Sequence, residues 1–183
     1  MTPTLLWALL AALAARAQAP AALPELASGR FLLQEAPEVY RPRLDTAVEK
    51  AIASLHFAFR PLARLRLRPA VYETVCGDLR LQLDAESFAV QCAGGESERR
   101  RLDGSDGTYV DDGDTYRIRI RLQGNSVEVT CAGERGGQSN TYAFEPDGRL
   151  VLHGSIFSSS LPTPLAWTLP YRRAGALEGP RTP

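Results

Sequence analysis

Two stretches of this chain alternate apolar and polar residues at a period of two, and they restrict the fold more than any other feature. Leu79, Leu81 and Leu83 are separated by Arg80 and Gln82; after Asp84-Ala85-Glu86-Ser87, Phe88, Val90 and Cys92 are separated by Ala89 and Gln91. Successive side chains of a strand point to opposite faces, so this pattern predicts a hairpin with one apolar face and one wet face. The second stretch repeats the pattern: Tyr116, Ile118, Ile120 and Leu122 alternate with Arg117, Arg119 and Arg121, and Val127, Val129 and Cys131 return after Gly124-Asn125. A two-residue loop there sets Arg121 opposite Glu128, an outward pair of opposite charge.

Further strands are expected near 139–145, 149–158 and 165–172, with turns at Glu145-Pro146-Asp147-Gly148 and Leu161-Pro162-Thr163-Pro164. Strands do not alternate with helices, which disfavours a parallel sheet. The expected class is mainly β: an antiparallel up-and-down meander, closed or nearly closed into a barrel, since closure removes exposed edges.

Ahead of the strands the period changes. Leu44, Val48, Ile52, Leu55, Phe59 and Leu62 recur at three- or four-residue steps. They predict one amphipathic helix preceding the barrel, with Pro42 in its first turn and Pro61 at its end. Residues 5–15, LLWALLAALAA, are apolar but short for a membrane span, and Ala15-Arg16-Ala17 follows them. This is the pattern of a secretory signal, although no Lys or Arg precedes the apolar run. The expected organisation is a signal peptide at 1–17, a flexible leader at 18–40, a helix plus β domain at 41–173 and a disordered tail at 174–183. The mature protein would be exported, either periplasmic or secreted, with no transmembrane span. Loss of Arg16 takes one charge from 21 basic residues set against 21 acidic ones. A net charge near −1 argues against a nucleic-acid partner.

The segments Leu55-His56-Phe57-Ala58-Phe59-Arg60-Pro61-Leu62-Ala63-Arg64 and Leu161-Pro162-Thr163-Pro164-Leu165-Ala166-Trp167-Thr168-Leu169-Pro170-Tyr171-Arg172-Arg173, with the Asp-Gly turns between them, carry a resemblance. Over residues 40–173 the chain resembles uncharacterised exported bacterial proteins of lipocalin-like (calycin-like) appearance. The resemblance implies a small helix-preceded barrel with room for a hydrophobic ligand. It carries over no functional residues.

Candidate sites follow from residue chemistry. Cys76, Cys92 and Cys131 permit one intramolecular disulfide in an oxidising compartment. Cys76 precedes the first strand of a hairpin whose return strand ends at Cys92, so a Cys76–Cys92 bridge is favoured and Cys131 is left as a buried thiol. The carboxylates of Asp103, Asp106, Asp111, Asp112 and Asp114 lie close in sequence. Their spacing misses an EF-hand and suits turns, so no metal is assigned. His153 with Ser155, Ser158, Ser159 or Ser160 lacks the Gly-x-Ser-x-Gly elbow of a hydrolase, and His56 is remote in sequence; no catalytic residue and no cofactor are assigned. Arg99-Arg100-Arg101 and the Arg117, Arg119, Arg121 stripe are expected on a solvated outer face. Tyr116, Tyr142, Phe144, Trp167 and Tyr171 alternate in phase with apolar neighbours and form the candidate ligand pocket. The leading expectation is a non-enzymatic envelope protein that binds a small apolar molecule or lipid in the barrel. A structural or protein-interaction module with a solid core, and a hydrolase, stand as alternatives.

Overall fold

The computed structural model describes residues 27–95, 97–102, 107–111 and 113–175, together with Leu23. The expected signal peptide, the tail from 176 on, and Asp103, Asp106 and Asp112 lie outside the described residues. Ten strands form one antiparallel sheet: β1 (Gly29–Leu33), β2 (Asp78–Leu83), β3 (Ser87–Cys92), β4 (Glu98–Arg101), β5 (Gly107–Asp111), β6 (Asp114–Gln123), β7 (Ser126–Ala132), β8 (Gly136–Phe144), β9 (Leu150–Ser158) and β10 (Leu161–Gly175). Their order is β4-β3-β2-β1-β10-β9-β8-β7-β6-β5, so every pairing is between chain neighbours except that of β1 with β10. The meander curls into a lipocalin-like barrel that is nearly closed, with β4 and β5 as the two ends of the sheet.

Alternation decides which face is inside. In β2, Leu79, Leu81 and Leu83 are buried while Arg80 and Gln82 are exposed; in β6, Ile118 and Ile120 are buried between exposed arginines. The registers follow from the turns. The carboxylate of Asp84 accepts from the Glu86 and Ser87 amides at 2.9 and 2.7 Å, which fixes the β2–β3 turn. These bonds, with one from the Ser87 hydroxyl, hold the Asp84 carboxyl below its usual value. At β6–β7, Gly124 takes φ +59°, the Gly124-Asn125 loop closes, and Arg121 lies opposite Glu128. The Glu128 carboxylate accepts from Gln123 and Ser139 at 3.4 and 3.3 Å.

The helical segment differs from its expectation. Two helices, α1 (Pro37–Ile52) and α2 (Arg60–Glu73), stand between β1 and β2, joined through a 3-10 turn at Phe57–Phe59. Helix α1 starts a turn earlier than expected, with Pro37 at its first position and Pro42 inside it. It stops at Ile52, well before Phe59, and Pro61 serves in the first turn of α2. Arg60 donates to the carbonyls of Ala53 and Leu55 at 2.6 and 2.9 Å, satisfying backbone groups that the break exposes. Leu44, Val48, Ala51 and Ile52 bury the inner face of α1 against the barrel. Arg64 bridges Glu49, and Arg68 bridges Asp45, tying α2 to α1.

Two more corrections concern ends of strands. The expected leader contains β1, because Phe31 fills the core and is fully buried. The expected turn Leu161–Pro164 is the start of β10: the pairing with β9 shifts between Leu161 and Leu165, and Pro162 and Pro164 lie in that irregular stretch, where a missing N–H is tolerated. Strand β10 also runs to Gly175, two residues into the expected tail.

The Cys76–Cys92 disulfide is present, with Cα atoms 5.6 Å apart. Cys92 lies on the exposed end of β3 rather than on its apolar face, and Cys131 is half-buried. No helix among the described residues is long and apolar enough to cross a membrane.

Candidate functional site

The barrel is packed solid on one side and hollow on the other. Phe31, Phe144, Leu150, Leu169 and Tyr171 fill the region beneath α1, with the Phe31 and Phe144 rings 6.2 Å apart. Burial there pushes the Tyr171 phenol far above its ordinary pKa, a rise partly offset by the nearby Cys76 backbone. Tyr171 is therefore neutral at any working pH.

Across the barrel lies an interior cavity of about 340 Å³ whose walls come from β3, β4, β6, β7 and β8. Phe88, Val90, Ile118, Ile120 and Val129 make it apolar, and Arg100, Gln138, Asn140 and Tyr142 place polar groups on one enclosed surface. Arg100 reaches this space because β4 alternates too: Arg99 opposite Ala89 turns out to Gln82 and Asp84, whereas Arg100, opposite buried Phe88, turns in. Its Nε is buried without a hydrogen-bond partner. The expected outer-face placement therefore fails for Arg100 alone in that run. Period two over Glu98–Arg101 contains the missing signal, which a reading of three arginines as one charge cluster hides.

A second donor is also unmet. Trp167 stands in one lateral row of the sheet with Val129, Asn140 and Gly154, and its Nε1 is buried with no partner. Gly154 makes room for the indole, since a Cβ there would fall 2.2 Å from Trp167 Cε2. Gln138 Nε2 donates to Asn140 Oδ1 at 3.3 Å, linking the two amides that face the cavity.

At the mouth, a cleft of about 810 Å³ separates α2 from the ends of β6, β8 and β10. Leu55, Phe59, Leu62 and Leu67 form its helical wall, and Tyr116 and Leu161 face them. The rim is charged, with Arg135 bridging Asp114 at 2.5 Å, an interaction that raises the Arg135 pKa. Cleft and cavity share walls: Tyr116 and Ile118 are two residues apart on β6, and Gly136 and Gln138 two apart on β8. Gly137 lets β7 and β8 approach closely there, for a Cβ would stand 2.2 Å from the Cys131 carbonyl oxygen.

The candidate pocket residues are thus dispersed. Tyr142 lines the cavity and Tyr116 the mouth cleft, while Phe144, Trp167 and Tyr171 are buried in the packed interior. Arg117, Arg119 and Arg121 floor a depression of about 840 Å³ on the outer face, where Glu128 and Glu134 join them. His153 also stands outside, its Nδ1 3.1 Å from Thr168 Oγ1 rather than beside a serine. Among the described residues no group of side chains is arranged to hold a metal ion.

No protein-family model matches the chain, and no curated protein does. Solved structures align with most of its length. A "REP1-NXSQ fatty acid transporter" aligns at 13% identity over 81% of this chain and 96% of that one, with a TM-score of 0.48. Human cRBP IV aligns at 16% identity over 80% and 97%, with a TM-score of 0.43. A secretary abundant heat soluble protein from Ramazzottius varieornatus aligns at 6% identity over 81% and 96%, with a TM-score of 0.46.

Proposed function

We propose that this protein is an exported, non-enzymatic carrier that holds one small apolar molecule or lipid, with the chain of the ligand in the barrel and its polar end toward Arg100. The observation that carries this reading is the interior cavity: a largely apolar space of about 340 Å³ whose only full charge among the described residues is the half-buried guanidinium of Arg100, with a buried, unpartnered Nε. A buried donor without an acceptor is costly, and an acceptor-bearing group on a ligand would relieve that cost. The mouth cleft supports the same reading, because its helical wall is apolar and its far wall continues on strands that line the cavity. Export rests on the apolar run at 5–15 and agrees with the disulfide.

The test is native mass spectrometry of the protein purified without denaturation, together with a titration of a fluorescent fatty acid. The expected result is one retained or added ligand per chain and saturable fluorescence. Absence of both a retained mass and a saturable signal would contradict the reading. A solid-core interaction module would give that negative result.

A further inference from the structure

The first half of α2 and the turn before it carry an exposed apolar surface that begins at the wall of the mouth cleft. Phe57, Phe59, Leu62 and Leu65 are 74, 63, 52 and 71% exposed, whereas Val71 is the only residue of α2 that is fully buried. Isolated exposed apolar residues are ordinary, but four within nine positions form a patch that marks an interaction surface. Charge narrows the choice of partner. From Lys50 to Tyr72 the chain has Lys50 and four arginines, and no Asp or Glu. Arg64 and Arg68 are matched by Glu49 and Asp45 of α1. Arg60 donates to neutral carbonyls and makes no ion pair among the described residues, its charge acting only at longer range on Glu49, and Arg66 is exposed beside Leu65 without an ion pair among the described residues.

We propose that this face docks on a lipid surface carrying anionic headgroups. Phe57, Phe59, Leu62 and Leu65 would enter the boundary between headgroups and acyl chains, with Arg60 and Arg66 held among the phosphates. An amphipathic segment with aromatic and aliphatic residues between cations binds such an interface through both buried apolar area and attraction to anionic lipid. The arginine stems extend the apolar surface while their heads remain at the polar layer. A protein partner would need acidic groups matched to two particular guanidinium positions, whereas an anionic bilayer presents them everywhere. Docking in this orientation also sets the mouth cleft against the membrane, because Phe59, Leu62 and Arg66 line it. The proposal holds whether or not the barrel carries a ligand.

The experiment is co-sedimentation of the full chain with vesicles of equal parts phosphatidylglycerol and phosphatidylcholine, beside vesicles of phosphatidylcholine alone. Binding should favour the anionic vesicles and weaken at about 0.5 M salt, where the screening length is only a few ångströms. Phe57→Ser with Leu65→Gln, and separately Arg66→Glu, should each lower binding about tenfold or more without changing the melting curve. The apolar run at 5–15 is common to all these chains, so the difference between parent and variant is the readout. A Phe57→Trp chain adds a positional test: its fluorescence should be quenched by brominated acyl chains beyond the quenching seen for the parent. Equal binding by parent and variants, equal binding to both vesicles, or no added quenching would overturn the proposal. So would a parent dimer that the variants lose with no vesicle binding, since the patch would then cover a second copy of the chain.

Discussion

A buried donor left without a partner costs stability until an acceptor meets it, and the Nε of half-buried Arg100 is in that position. Arg100→Leu should leave the ligand-free protein equally stable or up to about 2 kcal/mol more stable in urea unfolding, because an unpartnered donor leaves an apolar wall. The same change should weaken an acid-ended ligand by about tenfold or more while leaving an alcohol of equal chain length unaffected, since bonds to charged groups contribute roughly 1.5–3 kcal/mol. Equal losses for acid and alcohol would show that Arg100 acts only through shape. Gly154 is the opposite case, a residue defined by what it lacks. Gly154→Ala puts a methyl against the Trp167 indole and should cost about 1–3 kcal/mol, read as a lower urea midpoint with altered tryptophan fluorescence. The inward turn of Arg100 was legible in the sequence once alternation is applied to β4. The need for Gly154 was not, because it depends on a side chain thirteen residues away that reaches it only through the β9–β10 register.

At the scale of elements, strands were more legible than helices, for a physical reason. A buried strand face imposes period two residue by residue, and a one-residue slip would reverse every side chain, so Leu79–Leu83 and Tyr116–Cys131 identify themselves. The apolar residues from Leu44 to Leu62 keep a helical period across two helices, because Phe59 and Leu62 repeat the spacing without being buried. Pattern alone does not distinguish a residue that faces the core from one that faces out. Two contacts hold the beginning of the sheet. The Cys76–Cys92 bridge closes a loop with a sequence separation of 16, and replacing both cysteines by serine should cost about 3 kcal/mol by the chain-entropy relation, measured as a shift in the urea midpoint. Asp78, whose side chain is 20% exposed, accepts two bonds from Arg30 across β1 and β2, and this pairing holds its carboxyl below the ordinary value. A depressed carboxyl binds fewer protons in the folded state than in the unfolded chain. Its contribution is therefore present above the unfolded value of about 4 and is lost as pH falls through the lower folded value. Asp78→Asn should flatten the acid limb of a stability-against-pH curve below about pH 5 and leave its slope near neutrality unchanged. An unchanged acid limb would assign that limb to other carboxylates, such as Glu49 and Asp84, which are also held low.

At the scale of the whole molecule, the barrel combines a filled half under α1 with a hollow half whose strands β6 and β8 also wall the cleft beside α2. The meander and its near closure could be read from strand spacing, but the division into filled and hollow halves could not. The apolar inward residues of the two halves look alike in sequence, and whether facing walls touch depends on how far the sheet curls. That is why Phe144 and Tyr171, expected in the pocket, fill the core, while Arg100, expected on the outer face, lines the cavity beside Gln138 and Asn140. Cys131 provides a direct probe of the hollow half, because its half-buried thiol lines the interior cavity and stands outside the disulfide. The decisive measurement is the rate at which a small thiol reagent modifies Cys131 as a long-chain fatty acid is titrated in. Occupancy of the barrel predicts that the rate falls in proportion to ligand and reaches a floor at one equivalent per chain; an unchanged rate at saturating fatty acid would contradict an interior ligand site.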